Sequence, residues 1–280
     1  MTKSIDINFI KKHTTSLIQI SLVLIMALPL IYPLGLPIAI SNHPRDFYNY
    51  VENLEPGSKI LIELGLSVGT LGETLGSCVA FCHQAMSKGL KLYFVGISTA
   101  DGVVLIFDKY LMAGAEPSNY GYVYGEDYCN LGYIPGGDVA YSAFARECKS
   151  AVLEDNYGTP IENIPMMKDM QSINDFDVVM LMGEYHQRMA QLWTVPYNKP
   201  QISIGFQLHI TRDLEPFYQA GVIKEYLGGS IHGAEYEALV GKPGRALATI
   251  DSISLSHLLI IIYFSIGNIL YLIKRGEKLR

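Results

Sequence analysis

The chain has 280 residues, of which 49% are apolar (AVILMFWYC) and 17% charged, and its formal net charge is −6. High apolar content, 26 glycines without a period and the lack of heptads exclude a disordered chain, collagen and a coiled coil. Charge falls below the roughly 25% of an average soluble domain, and four cysteines are too few for a disulfide scaffold.

The charge is unevenly placed. Residues 1–16 hold Lys3, Lys11 and Lys12 against Asp6, and residues 274–280 hold Lys274, Arg275, Lys278 and Arg280 against Glu277. Residues 41–253 keep the other 14 Lys/Arg and 25 Asp/Glu. An acidic middle with basic ends speaks against nucleic-acid binding, which needs a basic face.

The first element is an uncharged apolar stretch, residues 17–40. A bilayer core of about 30 Å needs roughly 20 residues of helix, so this stretch is long enough to span. Pro29, Pro33 and Pro37 predict a regular helix ending near Tyr32, with residues 33–40 as an extended exit segment. The run is too long for the 7–15 residues of a signal-peptide core and has no clean A-x-A cleavage site, so it reads as a retained anchor.

From Arg45 the pattern alternates. RDFYNYVENL predicts a short amphipathic helix closed by a turn at 55–58. KILIEL (59–64) is the first strand, residues 71–89 a helix ended by Gly89, and KLYFVGI (91–97) the second strand. A helix follows Asp101, and DYCNLGYI (127–134) is the third strand, stopped by Pro135-Gly136-Gly137. Asp138 is read as the N-cap of the helix VAYSAFARECKSA. Residues 153–176 hold Gly158, Pro160 and Pro165 without a steady period and predict a long ordered loop. DVVMLMG (177–183), PQISIGF (200–206) and the weaker KEYLGG (224–229) are strands four to six, each followed by a helix. Six short apolar strands alternating with helices predict a three-layer, Rossmann-like α/β fold with a mostly parallel sheet.

The last element, residues 254–273, is again uncharged and is followed by KRGEKLR, the pattern of an anchor with a stop. Ser254, His257, Ser265 and Asn268 share one face of it. Either the first span covers that face or a second subunit does. On the domain side, Arg45, Lys242 and Arg245 are the only basic flanks near the two segments. The positive-inside rule therefore places both tails in the cytoplasm and residues 41–253 outside it, in a two-pass protein of the cell membrane.

Open parallel sheets bind ligands beyond the carboxyl ends of their strands, which here makes Ser67, Thr70, Ser98, Thr99, Gly136, Gly137, Ser230 and His232 the candidates. Gly65-Leu66-Ser67-Val68-Gly69 fits G-x-S-x-G at a strand-to-helix junction, with Asp213 and His232 later in the order of a hydrolase triad. The missing second oxyanion donor and a helix-capping Gly/Ser turn weigh against Ser67 as a nucleophile. Glycines at 65, 69 and 72 do not make G-x-G-x-x-G, no Walker A lysine follows, and no acid ends the second strand, so no nucleotide cofactor is assigned. Cys78 and Cys82, one helical turn apart beside His83, read as core packing rather than metal ligands, and no metal is assigned. The sequence leaves open whether Cys129 and Cys148 pair as a disulfide in an oxidising compartment. Tyr120, Tyr122, Tyr124, Tyr128 and Tyr133 gather around strand three, either as packing or as a docking surface.

PLGLPIAIS (33–41), NLGYIPGGDVA (130–140), NYGTPIENIPMMK (156–168) and YLGGSIHGAEYEALVGKPG (226–244), ahead of a basic-tailed span, resemble prokaryotic membrane-anchored α/β proteins. The resemblance implies the two-anchor architecture and transfers no cofactor, activity or catalytic residue. Without a complete catalytic set, the sequence points first to a membrane-anchored structural or accessory subunit that self-associates or docks on other membrane subunits. A small-ligand receptor domain using the strand ends is the second reading, and a hydrolase with Ser67 the third.

Overall fold

A computed structural model describes residues 7–32 and 34–278. Lys3, Asp6, Pro33 and Arg280, which enter the tail and helix-end expectations above, lie outside the described residues.

The chain divides into two compact units, Pro37–Leu247 and the pair Met1–Leu36 with Ala248–Arg280. The first holds six strands: β1 (Lys59–Gly65), β2 (Lys91–Gly96), β3 (Tyr128–Tyr133), β4 (Val178–Gly183), β5 (Gln201–Gly205) and β6 (Ile223–Gly228). All five pairings are parallel, in the order β3-β2-β1-β4-β5-β6. The α/β expectation holds, and "mostly parallel" becomes wholly parallel.

Strand alternation builds the two faces. Ile60, Ile62 and Leu64 of β1, with Leu92, Phe94, Met180 and Ile202, pack against helices Asn42–Glu52, Leu71–Ser87, Gly102–Met112 and Gly229–Val240. Leu61, Tyr93, Leu131, Val179 and Leu181 point the other way, toward Tyr141, Phe144 and the fully buried Trp193. β6 closes one edge, and its buried Ile223 and Tyr226 pack with Leu214.

The loop before β4 completes the second face. Ile161, Ile164, Met167, Met170, Ile173 and Phe176 are all buried in it. Asp155 fixes its start, accepting from the Tyr157 and Thr159 N–H groups at 2.9 and 2.8 Å and from the Tyr124 hydroxyl at 2.7 Å.

Several local expectations are corrected. Asp138 is the first residue of the helix Asp138–Arg146 rather than its N-cap; Gly137 holds that position, and the Asp138 carboxylate pairs with Arg188. That helix breaks at Glu147, whose backbone is extended, and resumes over Cys148–Ala151. The helix after β5 starts at Gln207 and the one after β6 at Gly229, earlier than their apolar periods suggest. The question left open for Cys129 and Cys148 is answered by two free thiols: all four cysteines are free and buried, in the two apolar clusters.

Three of the tyrosines around β3, Tyr120, Tyr122 and Tyr124, bond their hydroxyls to other parts of the domain. Tyr120 bonds His83 Nδ1 at 2.8 Å and Tyr122 donates to the Leu90 carbonyl at 2.7 Å, so packing explains most of the group; Tyr133 alone of the five is exposed.

The second unit contains the helix Ile7–Ile31, which runs through Pro29 and ends one residue before the expected Tyr32, and most of the helix Arg245–Lys278. His13–Ile31 and Arg245–Ile273 have mean hydropathies of 2.0 and 1.9, so both are long and apolar enough to cross a membrane. Few of their residues are buried, unlike those of a soluble core helix. Between the helices, Asp251 is buried and holds the extended segment, accepting from the Leu34, Gly35 and Leu36 N–H groups at 3.1, 2.9 and 3.2 Å.

Candidate functional site

The strand order reverses between β1 and β4, and in open parallel sheets the crevice beyond the carboxyl ends at that point receives ligands. Two glycines floor it here, Gly65 and Gly183, paired in register. Gly183 has φ +123°, and a Cβ there would lie 2.1 Å from the Gly65 carbonyl oxygen. A Cβ on Gly65 would in turn meet Glu63 Oε2 at 2.8 Å, Ser98 Oγ at 3.0 Å and the Glu184 carbonyl at 3.1 Å. The floor is therefore bare backbone, ringed by polar atoms.

Glu63 is the unusual member. It sits inside the apolar run of β1, fully buried, on the face of Tyr141. Its Oε1 accepts from the Ile97 N–H at 3.1 Å, the Ser98 N–H at 3.0 Å and the Ser98 hydroxyl at 2.6 Å. Oε2 and the Tyr141 hydroxyl are buried without a well-formed hydrogen bond, and the two groups lie close enough to interact with each other. Burial pushes the carboxyl above its ordinary value, opposed by the bonds from Ser98 and Ile97 and by the Tyr141 hydroxyl.

Past β4 the backbone is strained. Tyr185 is left-handed at φ +73°, a conformation a bulky side chain seldom adopts away from functional sites. The Arg188 guanidinium lies over its ring at 5.2 Å and pairs with Asp138 at 2.8 Å. Arg212 pairs with the mostly buried Asp213 at 2.7 Å. These residues, with Gln187 and Gln191, line an open cavity of about 500 Å³.

Two imidazoles lie beside Gly205, where a Cβ would meet His186 Nε2 at 2.7 Å and His209 Nδ1 at 3.1 Å. Their ring centroids are 5.0 Å apart, and neither nitrogen of His186 has a hydrogen-bond partner among the described residues. Burial pushes His186 well below its ordinary pKa, with His209 and Arg212 adding to it; burial and then Arg212 lower His209. A histidine depressed in the folded state contributes stability that is present above its unfolded value near 6.5 and lost as pH falls. His186→Leu should therefore flatten the decline in unfolding free energy between pH 7 and 5 by up to about 1.4 kcal/mol per pH unit. Parallel slopes for the two proteins in urea titrations would contradict this.

The structure divides the candidates read from sequence into groups. Ser67 and Thr70 are bound to each other, hydroxyl to hydroxyl at 3.2 Å, in the turn after β1. Ser98 holds Glu63, and Thr99 Oγ1 accepts from the Asp101 N–H at 3.2 Å. Gly136 and Gly137, both at positive φ, bring Asp138 to Arg188. Ser230 and His232 lie in the first turn of the helix Gly229–Val240 that follows β6, a strand three places and roughly 14 Å from β1. There His232 Nδ1 accepts from the Gly228 N–H at 3.1 Å, and its ring centroid lies 5.9 Å from that of His43. Asp213 is held by Arg212. Ser67, Asp213 and His232 thus each have other hydrogen-bond partners, and no bond links the three.

Comparisons with protein-family models, with curated proteins and with solved structures find no match.

Sequence reasoning missed Glu63, Tyr141, His186 and Arg188. The one available signal was an acid inside the strand pattern KILIEL. Among the described residues no three His, Cys, Asp or Glu side chains are grouped to hold a metal ion.

Proposed function

We propose that this protein is a two-span membrane protein whose α/β domain binds a small polar ligand in the crevice between β1 and β4. One observation carries the reading: beside the bare Gly65–Gly183 floor, at the reversal point of the sheet, a fully buried carboxylate, Glu63, is held by Ser98 and the Ile97 N–H with its second oxygen toward the Tyr141 hydroxyl. The neighbouring cavity supplies both charges and amides, through Arg188, Arg212, Asp138, Asp213, Gln187 and Gln191. That set suits a ligand with an anionic group and several hydroxyl or amino groups, such as a sugar acid or an amino acid.

The membrane placement is supported by two long apolar helices with exposed surfaces. The basic residues at both chain ends favour cytoplasmic tails and an extracytoplasmic domain by the positive-inside rule.

A thermal-shift screen of polar metabolites tests the binding. A ligand at one hundred times its Kd should stabilise the domain by about 2.7 kcal/mol, and Glu63→Leu should abolish the shift. Equal shifts in the parent and in a folded Glu63→Leu variant would overturn the placement.

A further inference from the structure

Within the two-helix unit, the C-terminal helix turns one face to the N-terminal helix. Ser252 Oγ donates to the Met26 carbonyl at 2.7 Å, and the Tyr263 hydroxyl meets Ser21 Oγ at 2.6 Å. Ser252 and Ser256 are buried along that side, and Leu255, Leu259 and Tyr263 are half-buried. At 100° per residue, Ser254, His257, Ser265 and Asn268 lie on the opposite side of the helix, and all four are exposed. With Ile261, also exposed, they make one line at spacings of three and four residues. Of the two coverings that the sequence left open for this face, the N-terminal helix is therefore excluded.

Polar side chains at membrane depth meet another helix rather than lipid. We infer that this line is the contact between two copies of the chain. Copies in one bilayer share an orientation, so a two-fold axis along the membrane normal sets each residue opposite its own counterpart at equal depth. Asn268 then faces a second Asn268, and a carboxamide both donates and accepts, so the pair satisfies itself. Ser265 Oγ donates to the Ile261 carbonyl at 2.8 Å and keeps lone pairs to accept across the interface. A different partner would need a matching polar group at each of these depths. The inference rests on the spans proposed above and not on the ligand crevice.

The test uses the full chain in phosphatidylcholine vesicles, with Ile261→Cys on the line and Ile262→Cys 100° round the helix as control. The four native thiols are buried. Copper-phenanthroline oxidation should link Ile261→Cys into dimers several-fold more than Ile262→Cys. Adding Asn268→Leu should weaken dimerisation roughly threefold to tenfold on dilution in lipid. Equal linking at both positions, or monomers at both in protein that resists carbonate extraction, overturns the interface and leaves the spans standing. A linked product of another mass in native membranes, with none in vesicles, assigns the line to a different protein and also overturns it. Release by carbonate overturns the spans, and the interface with them.

Discussion

Gly183→Ala should destabilise the α/β domain by about 3 kcal/mol or more. Two independent effects add at this position. The backbone sits at φ +123°, where an L side chain is strained, and a Cβ would lie 2.1 Å from the Gly65 carbonyl oxygen and 2.8 Å from the Leu66 nitrogen. Strain of that kind costs about 1–3 kcal/mol, and overpacking adds a similar amount. Relief has to come from backbone movement, because both neighbouring atoms are main chain in the central strand pair. Urea unfolding would show a midpoint lowered by more than about 1 M, given a slope of 1–3 kcal/mol per M. A loss under about 1 kcal/mol would mean that β1 and β4 are not so close at their ends.

Glu237→Ala is the second large effect, again about 3 kcal/mol or more. Glu237 is buried, and its two oxygens accept from the Gly244, Ala246 and Leu247 N–H groups at 3.0, 3.0 and 2.8 Å. These are backbone groups at the start of the helix Arg245–Lys278, whose unsatisfied N–H groups and positive dipole end favour an acceptor carboxylate. Burial raises the Glu237 carboxyl and the three N–H bonds oppose it. Alanine leaves the buried donors unpaired, at about 1–3 kcal/mol each before relaxation. Glu237→Gln keeps one acceptor oxygen and should lose less than the alanine variant. Equal losses for Gln and Ala would show that the oxygens do not carry the effect.

The strands were legible in the sequence because each is a short apolar run cut off by glycine or a turn, and burial on both faces removes any competing period. KEYLGG was the weakest signal for the same reason: β6 is an edge strand, and Lys224 is exposed. Helix starts were less legible where a glycine or a polar residue opens the helix, as at Gln207 and Gly229. Strand order left no local trace, because parallel pairings join segments far apart in sequence. Without the order, Ser67 and His232 could be imagined together, whereas the sheet sets β1 and β6 three strands apart. The strand-end rule pointed to Ser98, Gly136 and Gly137 but not to Glu63, which lies two residues before the end of β1 and is fully buried against Ser98. Helical spacing gave the polar line on the C-terminal helix but not which side the N-terminal helix would cover; that depends on contacts such as Ser252 with Met26.

Hydrogen exchange of the full-length protein, with and without a metabolite that raises its melting temperature, tests the crevice most directly. Binding there predicts slowed exchange in residues 65–70, 97–101 and 183–188, the segments at the ends of β1, β2 and β4. Protection confined to the β6 side, in residues 229–240, would contradict it.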